Sequence, residues 1–483
     1  MKTHLFKSSL DWLSARIRSI PLYRWCRLVI ASVPVVVLIG CSATGKITNL
    51  PVQQVPDSGT RYSFTNYMES HDLGNIMFIL AFSGGGTRAA ALSYGVLEEL
   101  RDTSFEASGK PYRLLDEVDR ISSVSGGSFT SAYYGLFGDR IFSDFKEVFL
   151  YKDIESELMS RVFGLFDTVG RSFSGESRTE TVIDYYDKNI FEGRTFADLQ
   201  EANTPYTLIN ATDLNSRSQF VFSQRQFDFL CSDLSEFSVA RAVAASSAVP
   251  ILFHPVLVEK HAACNFEKPE WLIDVEKDAD PTKNIRLHEL VESMSFYLDD
   301  DSPPYATLVD GGVTDNLGLR AIYRNMMLSG GALEFYNSQA DRVSFEHIVV
   351  LVVNASTNAV TEVGKSQIIP SAFEVLTVMT DIQLHLYNTE SNSLIKEELT
   401  RLIEGLSISG RQIEPYFIEI SVEDIDDPAE QRYVNEIPTS FYLEREQADM
   451  LIATAKKLLR KDKGYQRLLK NIGADQSADN GQD

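Results

Sequence analysis

Ile76-Met77-Phe78-Ile79-Leu80-Ala81-Phe82 runs straight into Ser83-Gly84-Gly85-Gly86-Thr87-Arg88, after which residues 89–100 carry apolar side chains at helical spacing. An unbroken apolar run of this length, bounded by turn residues, reads as a strand buried on both faces. The glycines between strand and helix allow positive φ and close backbone approach, and the helix start presents N–H groups without intrahelical acceptors. Such a loop suits an anion. Alone it serves equally as a phosphate cradle, an oxyanion hole or a tight turn. No Gly-Lys-Ser/Thr closes the segment, which weighs against the phosphate loop.

Further strand candidates lie at residues 120–124, 207–210, 307–309, 347–354 and 416–422, each separated from the next by turn residues or helical stretches. Strands alternating with helices predict an α/β fold with a mainly parallel central sheet flanked by helices on both faces. At a second strand-to-helix junction stands Ser123-Val124-Ser125-Gly126-Gly127-Ser128, a Gly-x-Ser-x-Gly nucleophile elbow with Ser123 in place of the first glycine. Ser125 would project its Oγ above the sheet, and the Gly126 N–H would point where an oxyanion forms. The plainer reading is a Ser/Gly-rich loop. A third motif, Val309-Asp310-Gly311-Gly312, ends an apolar strand with an Asp able to reach a neighbouring strand's elbow, although a lone Asp-Gly is most often a turn.

In this order the three motifs resemble the patatin-like phospholipase family. Asn210-Ala211-Thr212-Asp213 and Ala242-Val243-Ala244-Ala245-Ser246-Ser247-Ala248-Val249-Pro250 extend the resemblance over roughly residues 76–325. It implies a three-layer α/β/α core and a Ser-Asp dyad in which Ser125 is the nucleophile and Asp310 its direct base. It also implies an oxyanion hole from Gly84, Gly85, Gly86 and Gly126, with Arg88, Gly127, Gly311 and Gly312 in support. Arg88 either approaches a substrate phosphate or holds its loop, and the structural role is favoured. No cofactor or metal is implied. Asp299-Asp300-Asp301 lacks the alternating spacing of a calcium loop and reads as a solvated turn. Among the histidines, His254 is the one placed between the Ala-rich helix and Asp310, but Phe253-His254-Pro255 reads as a strand edge.

The N-terminal residues have their own character. Lys2, Lys7, Arg16, Arg18, Arg24 and Arg27 against Asp11 precede an uncharged stretch over 28–40, too short to span a bilayer with ease. Leu38-Ile39-Gly40-Cys41 resembles a lipobox, which predicts cleavage before Cys41 and its lipidation. Ser42 after it favours, by analogy, the outer membrane on its periplasmic side. An exported location favours a disulfide between Cys231 and Cys264, and no third or fourth ligand stands near them for zinc. The expected division is a signal peptide over 1–40, a tether over 41–75, a catalytic core over 76–325, an α/β extension packed on it over 326–473 and a disordered tail over 474–483. The segment 145–173, rich in Phe, Leu, Val and Met, reads either as a helical cap over a cleft or as ordinary core helices.

With 44% hydrophobic and 23% charged residues the chain is neither disordered nor a multi-span membrane protein. Its net charge of −23 argues against nucleic acid as the main partner. The leading expectation is a phospholipase A or lysophospholipase acting on a lipid ester at a bacterial envelope membrane. The alternatives are a catalytically weak scaffold or lipid-binding protein that keeps the fold, and a nucleotide binder using the glycine loop.

Overall fold

A computed structural model describes residues 44–52, 61–71, 74–107, 110–157, 177–250, 252–262, 264, 268–340, 345–357, 367, 369–408 and 413–476. Its centre is an eight-stranded sheet built from β1 (Ile76–Phe82), β2 (Val118–Val124), β3 (Tyr206–Asp213), β4 (Ser218–Val221), β5 (Val256–Glu259), β6 (Tyr305–Val309), β7 (His347–Asn354) and β8 (Glu414–Ser421). The order is β8-β7-β1-β2-β3-β6-β5, with β4 paired to β3. From β8 to β3 every pairing is parallel, and the pairings of β3, β4, β5 and β6 with one another are antiparallel.

Alternation along the parallel strands builds two cores. Phe78, Leu80 and Phe82 of β1 join Val349, Leu351 and Val353 of β7 on one face, while Met77, Ile79 and Ala81 join Ile348, Val350 and Val352 on the other. Successive side chains of a strand point to opposite faces, so a sheet covered on both sides needs continuous apolar runs. The covering helices include α1 (Phe64–Ser70), α2 (Gly86–Asp102), α3 (Gly126–Phe137), α4 (Val239–Ser246), α5 (Ala372–Ile408) and α6 (Arg445–Lys461). The fold is α/β with a mainly parallel sheet between helices, as the alternation of strands and helices predicts.

Four features depart from the sequence reading. The sheet does not divide at residue 325, because β7 pairs directly with β1 in register His347–Ile76 to Val353–Phe82. The supposed tether is partly folded. Asn49, 4% exposed, donates to Ser232 Oγ at 3.0 Å and to the Glu259 carbonyl at 2.9 Å, and Leu50–Pro51 pairs with Ser232–Asp233. Tyr62 is buried too, with its hydroxyl on the Thr207 carbonyl at 2.7 Å. The expected tail begins as a strand, Ala474–Gln476, on Thr103–Ala107. Finally, β6 is not next to β2, since β3 lies between them.

Phe145, Phe149, Leu150 and Ile154 are core residues, so the described part of the segment read as a cap or as core helices packs as core. Its remainder over 158–173 lies outside the described residues, as do residues 1–43 with Cys41 and residues 477–483. Cys231 and Cys264 are disulfide-bonded with Cα atoms 5.5 Å apart. Closing a loop of 33 residues stabilises the fold by about 3–4 kcal/mol in the chain-entropy account.

Candidate active site

Ser125 follows the last residue of β2 and caps α3 with φ 48° and ψ −119°. A non-glycine residue in this region is strained, and the surroundings must hold it there. Its N–H donates to Ser246 Oγ at 2.8 Å, and Ser246 Oγ donates in turn to the Asn210 carbonyl at 2.6 Å. Ser128 Oγ, 3.0 Å away, completes the environment of that hydroxyl. Gly126 is required because a Cβ there would collide with the Gly86 carbonyl, where elbow and glycine loop touch.

The partner carboxylate arrives by an unexpected route. β6 runs antiparallel to β3 and overlaps only its end, with Leu308 opposite Asp213 and Val309 opposite Thr212. The chain thus enters from beyond the C-terminal edge of the parallel strands and delivers Asp310 at the level of Ser125, across the end of β3. Gly311 passes over the Asn210 carbonyl so closely that a Cβ would collide with it. The turn is pinned by Asp310 N–H on the Ala248 carbonyl and Gly311 N–H on the Ser246 carbonyl, both at 3.0 Å.

Ser125 Oγ donates to Asp310 Oδ2 at 2.8 Å, and the Gly312 N–H donates to Asp310 Oδ1 at 2.8 Å. Burial pushes the Asp310 carboxyl up to about 6, against the opposing pull of the Gly312 and Ser125 hydrogen bonds. A carboxylate in this state is a stronger base than a solvated one and is still ionised at neutral pH.

Of the four N–H groups expected to face an oxyanion, those of Gly85, Gly86 and Gly126 have no hydrogen-bond acceptor among the described residues. The Gly84 N–H is engaged, donating to the Asn316 carbonyl at 2.9 Å. Gly84 instead permits close approach, since a Cβ would press on Asn316 Oδ1 and the Ser125 Cβ. Gly85 has φ 136°, which only glycine adopts with ease. Gly127 packs on Ser83 and Phe82, with its N–H on the Ser83 carbonyl at 3.1 Å. Gly312 supplies the N–H on Asp310 and lies against Leu384 of α5.

Arg88 is turned into the protein interior. It is 3% exposed, and its guanidinium donates to the Ala355 carbonyl at 3.0 Å, to the Ile437 carbonyl and to Thr439 Oγ1 at 2.9 Å. The Thr87 N–H donates to the Ser440 carbonyl at 2.9 Å, so the loop before α6 buttresses the glycine loop. Residues beyond 325 therefore build the site as well as the sheet. His254 has its ring nitrogens 3.1 Å from Ser177 Oγ and 3.4 Å from an Arg178 nitrogen, and no described histidine bonds to Ser125 or Asp310. Asp299 to Asp301 form a turn that caps itself, with Ser302 Oγ on the Asp299 carbonyl at 2.8 Å. Among the described residues no His, Cys, Asp and Glu side chains group as metal ligands.

The patatin-like phospholipase family matches residues 80–323, half of the chain, and that span contains Ser125, Asp310 and the glycine loop. The chain belongs to the patatin-like phospholipase family. No curated protein matches this family member. Among solved structures it is similar to human GIVD cytosolic phospholipase A2, with 14% identity and a TM-score of 0.36, over 85% of this chain and 62% of that one. The same human enzyme in complex with methyl gamma-linolenyl fluorophosphonate gives 13% identity and a TM-score of 0.33, over 87% of this chain and again 62% of the other. The chain thus spans under two thirds of those structures.

Proposed function

We propose that this chain is a lipid acyl hydrolase working through Ser125 and Asp310, a phospholipase A or lysophospholipase at a bacterial envelope membrane. The observation that carries this reading is the 2.8 Å hydrogen bond from Ser125 Oγ to an Asp310 carboxylate raised to about 6. Asp310 Oδ2 takes the serine proton as Oγ attacks the ester carbonyl. The N–H groups of Gly85, Gly86 and Gly126 receive the tetrahedral oxyanion, each donor of this kind being worth about 2.7–4 kcal/mol. Protonated Asp310 then returns its proton to the departing alkoxide, leaving an acyl ester on Ser125. Water, deprotonated by Asp310, attacks that ester, and the proton passes back to Ser125 as the fatty acid leaves. Gly312 holds the other carboxylate oxygen, so Oδ2 stays aimed at the serine throughout. A scaffold would need neither the strained elbow nor the free N–H groups.

The lipid substrate is supported by the surface beside the site. In α5 the residues Ile395, Leu399, Leu402 and Leu406 face the core, yet Val375, Met379, Ile382 and Leu386, 41–62% exposed, form a stripe on the opposite side of the same helix. At about 100° per residue these two stripes lie about half a turn apart. Leu384, on the inward side of the same stretch of α5, lies beside Gly312, so this part of the helix packs at the site while its apolar stripe faces solvent. Among the described residues no helix is long and apolar enough to cross a membrane. Anchorage is assigned here to lipidated Cys41, which stands a few residues before the docked Asn49 and would hold the body close to the periplasmic face of an outer membrane. The test is fatty-acid release from phosphatidylcholine vesicles and lysophosphatidylcholine micelles, with Ser125→Ala as control. Release that disappears in the variant is expected; folded protein that hydrolyses no acyl ester at all contradicts the reading.

A further inference from the structure

Five residues before the elbow serine, on the same strand, Arg120 opens onto a cavity of about 170 Å³ that Arg225 and Arg324 also line. At about 3.3 Å per residue Arg120 lies some 16 Å from Ser125, toward the other end of the sheet. Tyr62, Phe64 and Tyr206 provide an aromatic wall, and Thr65 and Asn325 add polar groups. Among the described residues lining the cavity there is no aspartate or glutamate, in a chain that carries 68 acidic against 45 basic side chains.

The three cations have little to neutralise them. Arg120 is 2% exposed, stacks 3.7 Å above the Phe64 ring, and its guanidinium hydrogen-bonds to no described residue; its Nε is fully buried and unpartnered. Arg225 reaches solvent, stacks 4.8 Å from the Trp271 ring and has no ion pair among the described residues. Among the described residues Arg324 donates only to the Gln219 carbonyl and Gln226 Oε1, each at 3.3 Å. The carboxylates nearby are otherwise occupied. Asp228, on the turn that carries Arg225, pairs with Arg61, and Asp119 accepts the Phe78 N–H at 2.8 Å. Burial pushes Asp119 up to about 8, so its pull on Arg120 is weakened at neutral pH. Burial, with the charge on Arg225 beside it, lowers Arg120 and Arg324 to about 10, which leaves both protonated at pH 7, and burial lowers Arg225 as well.

Like charges gathered inside protein without counter-ions are costly, and planar guanidinium forks match the oxygens of a phosphate. We propose that this cavity is a binding site for a phosphate-type oxyanion, held by Arg120, Arg225 and Arg324, either as a free phosphate or as the phosphorylated head group of a lipid. Its size suits the phosphate and its immediate substituent rather than an acyl chain. The site is separate from Ser125 and stands whether or not that serine is catalytic.

The experiment uses the intact chain carrying Ser125→Ala, so that no lipid is consumed. Thermal unfolding is followed against inorganic phosphate and pyrophosphate at ionic strength fixed with chloride, and co-sedimentation against phosphatidylcholine vesicles with and without phosphatidic acid. A saturable rise in Tm with phosphate or pyrophosphate assigns the site to a soluble phosphate. A response confined to phosphatidic acid vesicles assigns it to a head group. In either arm Arg225→Gln, at the solvent-reaching position, is expected to weaken binding at least tenfold, and Arg225→Gln with Arg324→Gln to abolish it. In phosphate-free chloride the Tm of Arg225→Gln is expected to be unchanged or higher, because an uncompensated charge is gone; a merely structural arginine would lower it. No response beyond chloride and plain phosphatidylcholine, or a response unaltered in both variants, overturns the proposal.

Discussion

Ser246 Oγ accepts the Ser125 N–H at 2.8 Å while the Ser246 carbonyl accepts the Gly311 N–H at 3.0 Å, so one residue at the end of α4 fastens both the serine elbow and the aspartate turn. The Ser125 and Asp310 side chains come from strands that neither adjoin nor run the same way, and Ser246 is what their loops share. It is a positioning residue whose hydroxyl donates its own hydrogen bond to the Asn210 carbonyl.

Ser246→Ala leaves a buried N–H without an acceptor at a strained φ. The expected cost is about 1–3 kcal/mol of stability, read by chemical denaturation, together with a fall in kcat of about tenfold as the elbow relaxes. Unchanged kcat in a folded variant would remove Ser246 from the account.

Asp310 sets the pH profile. Its carboxyl, raised to about 6 by burial, must be ionised to accept the serine proton, so kcat/KM should rise through pH 6 and level above it. Stability runs the other way. Unfolded aspartate titrates near about 3.9, so between there and 6 the folded state binds more protons, and stability falls as pH rises across that window. Asp310→Asn is therefore expected to abolish hydrolysis yet be more stable than the parent at pH 8, by up to about 3 kcal/mol. That advantage should vanish near pH 4, as denaturation curves at the two pH values would reveal.

Arg88→Met removes the donors to Ala355, Ile437 and Thr439 and frees the glycine loop from the chain beyond residue 325. A loss of about 2–4 kcal/mol is expected. Steady-state kinetics should show kcat falling with KM little changed, because the oxyanion donors shift while the substrate surface remains. A raised KM with kcat intact would indicate instead that Arg88 meets substrate.

Met379→Glu with Leu386→Glu places charges in the outward stripe of α5. Hydrolysis of vesicle phospholipid should drop about tenfold or more, while hydrolysis of a short, monomeric ester stays within about twofold, since burying charge at a lipid interface is costly. Equal loss on both substrates would place the effect in the site rather than at the membrane.

The parallel half of the fold was legible because its strands are buried on both faces. The structure gives β1 and β7 the bounds 76–82 and 347–354 that their apolar runs suggest. Strand direction is not written in such a run, so nothing in Thr307-Leu308-Val309 announced that β6 enters antiparallel and reaches across β3. Asn49 is buried through hydrogen bonds rather than apolar surface, which is why a polar segment with prolines read as a tether. In α5 the apolar side changes from outward to inward along the helix, blurring the period that would mark it. Ser246 looks like filler in an alanine-rich helix, and Arg120, Arg225 and Arg324 lie a hundred residues apart with no shared pattern. The three motifs picked out Ser125 and Asp310, which the structure brings together, but not that the Gly84 N–H is already engaged by Asn316.

The most direct test of the central claim is intact-mass and peptide analysis after treatment with a fluorophosphonate, comparing the parent chain with Ser125→Ala and Asp310→Asn. Activation of Ser125 by Asp310 predicts one adduct, on Ser125, absent in Ser125→Ala and formed far more slowly in Asp310→Asn. Folded parent protein that takes no adduct even with phospholipid vesicles present, or labelling of Asp310→Asn at the parent rate, would contradict it.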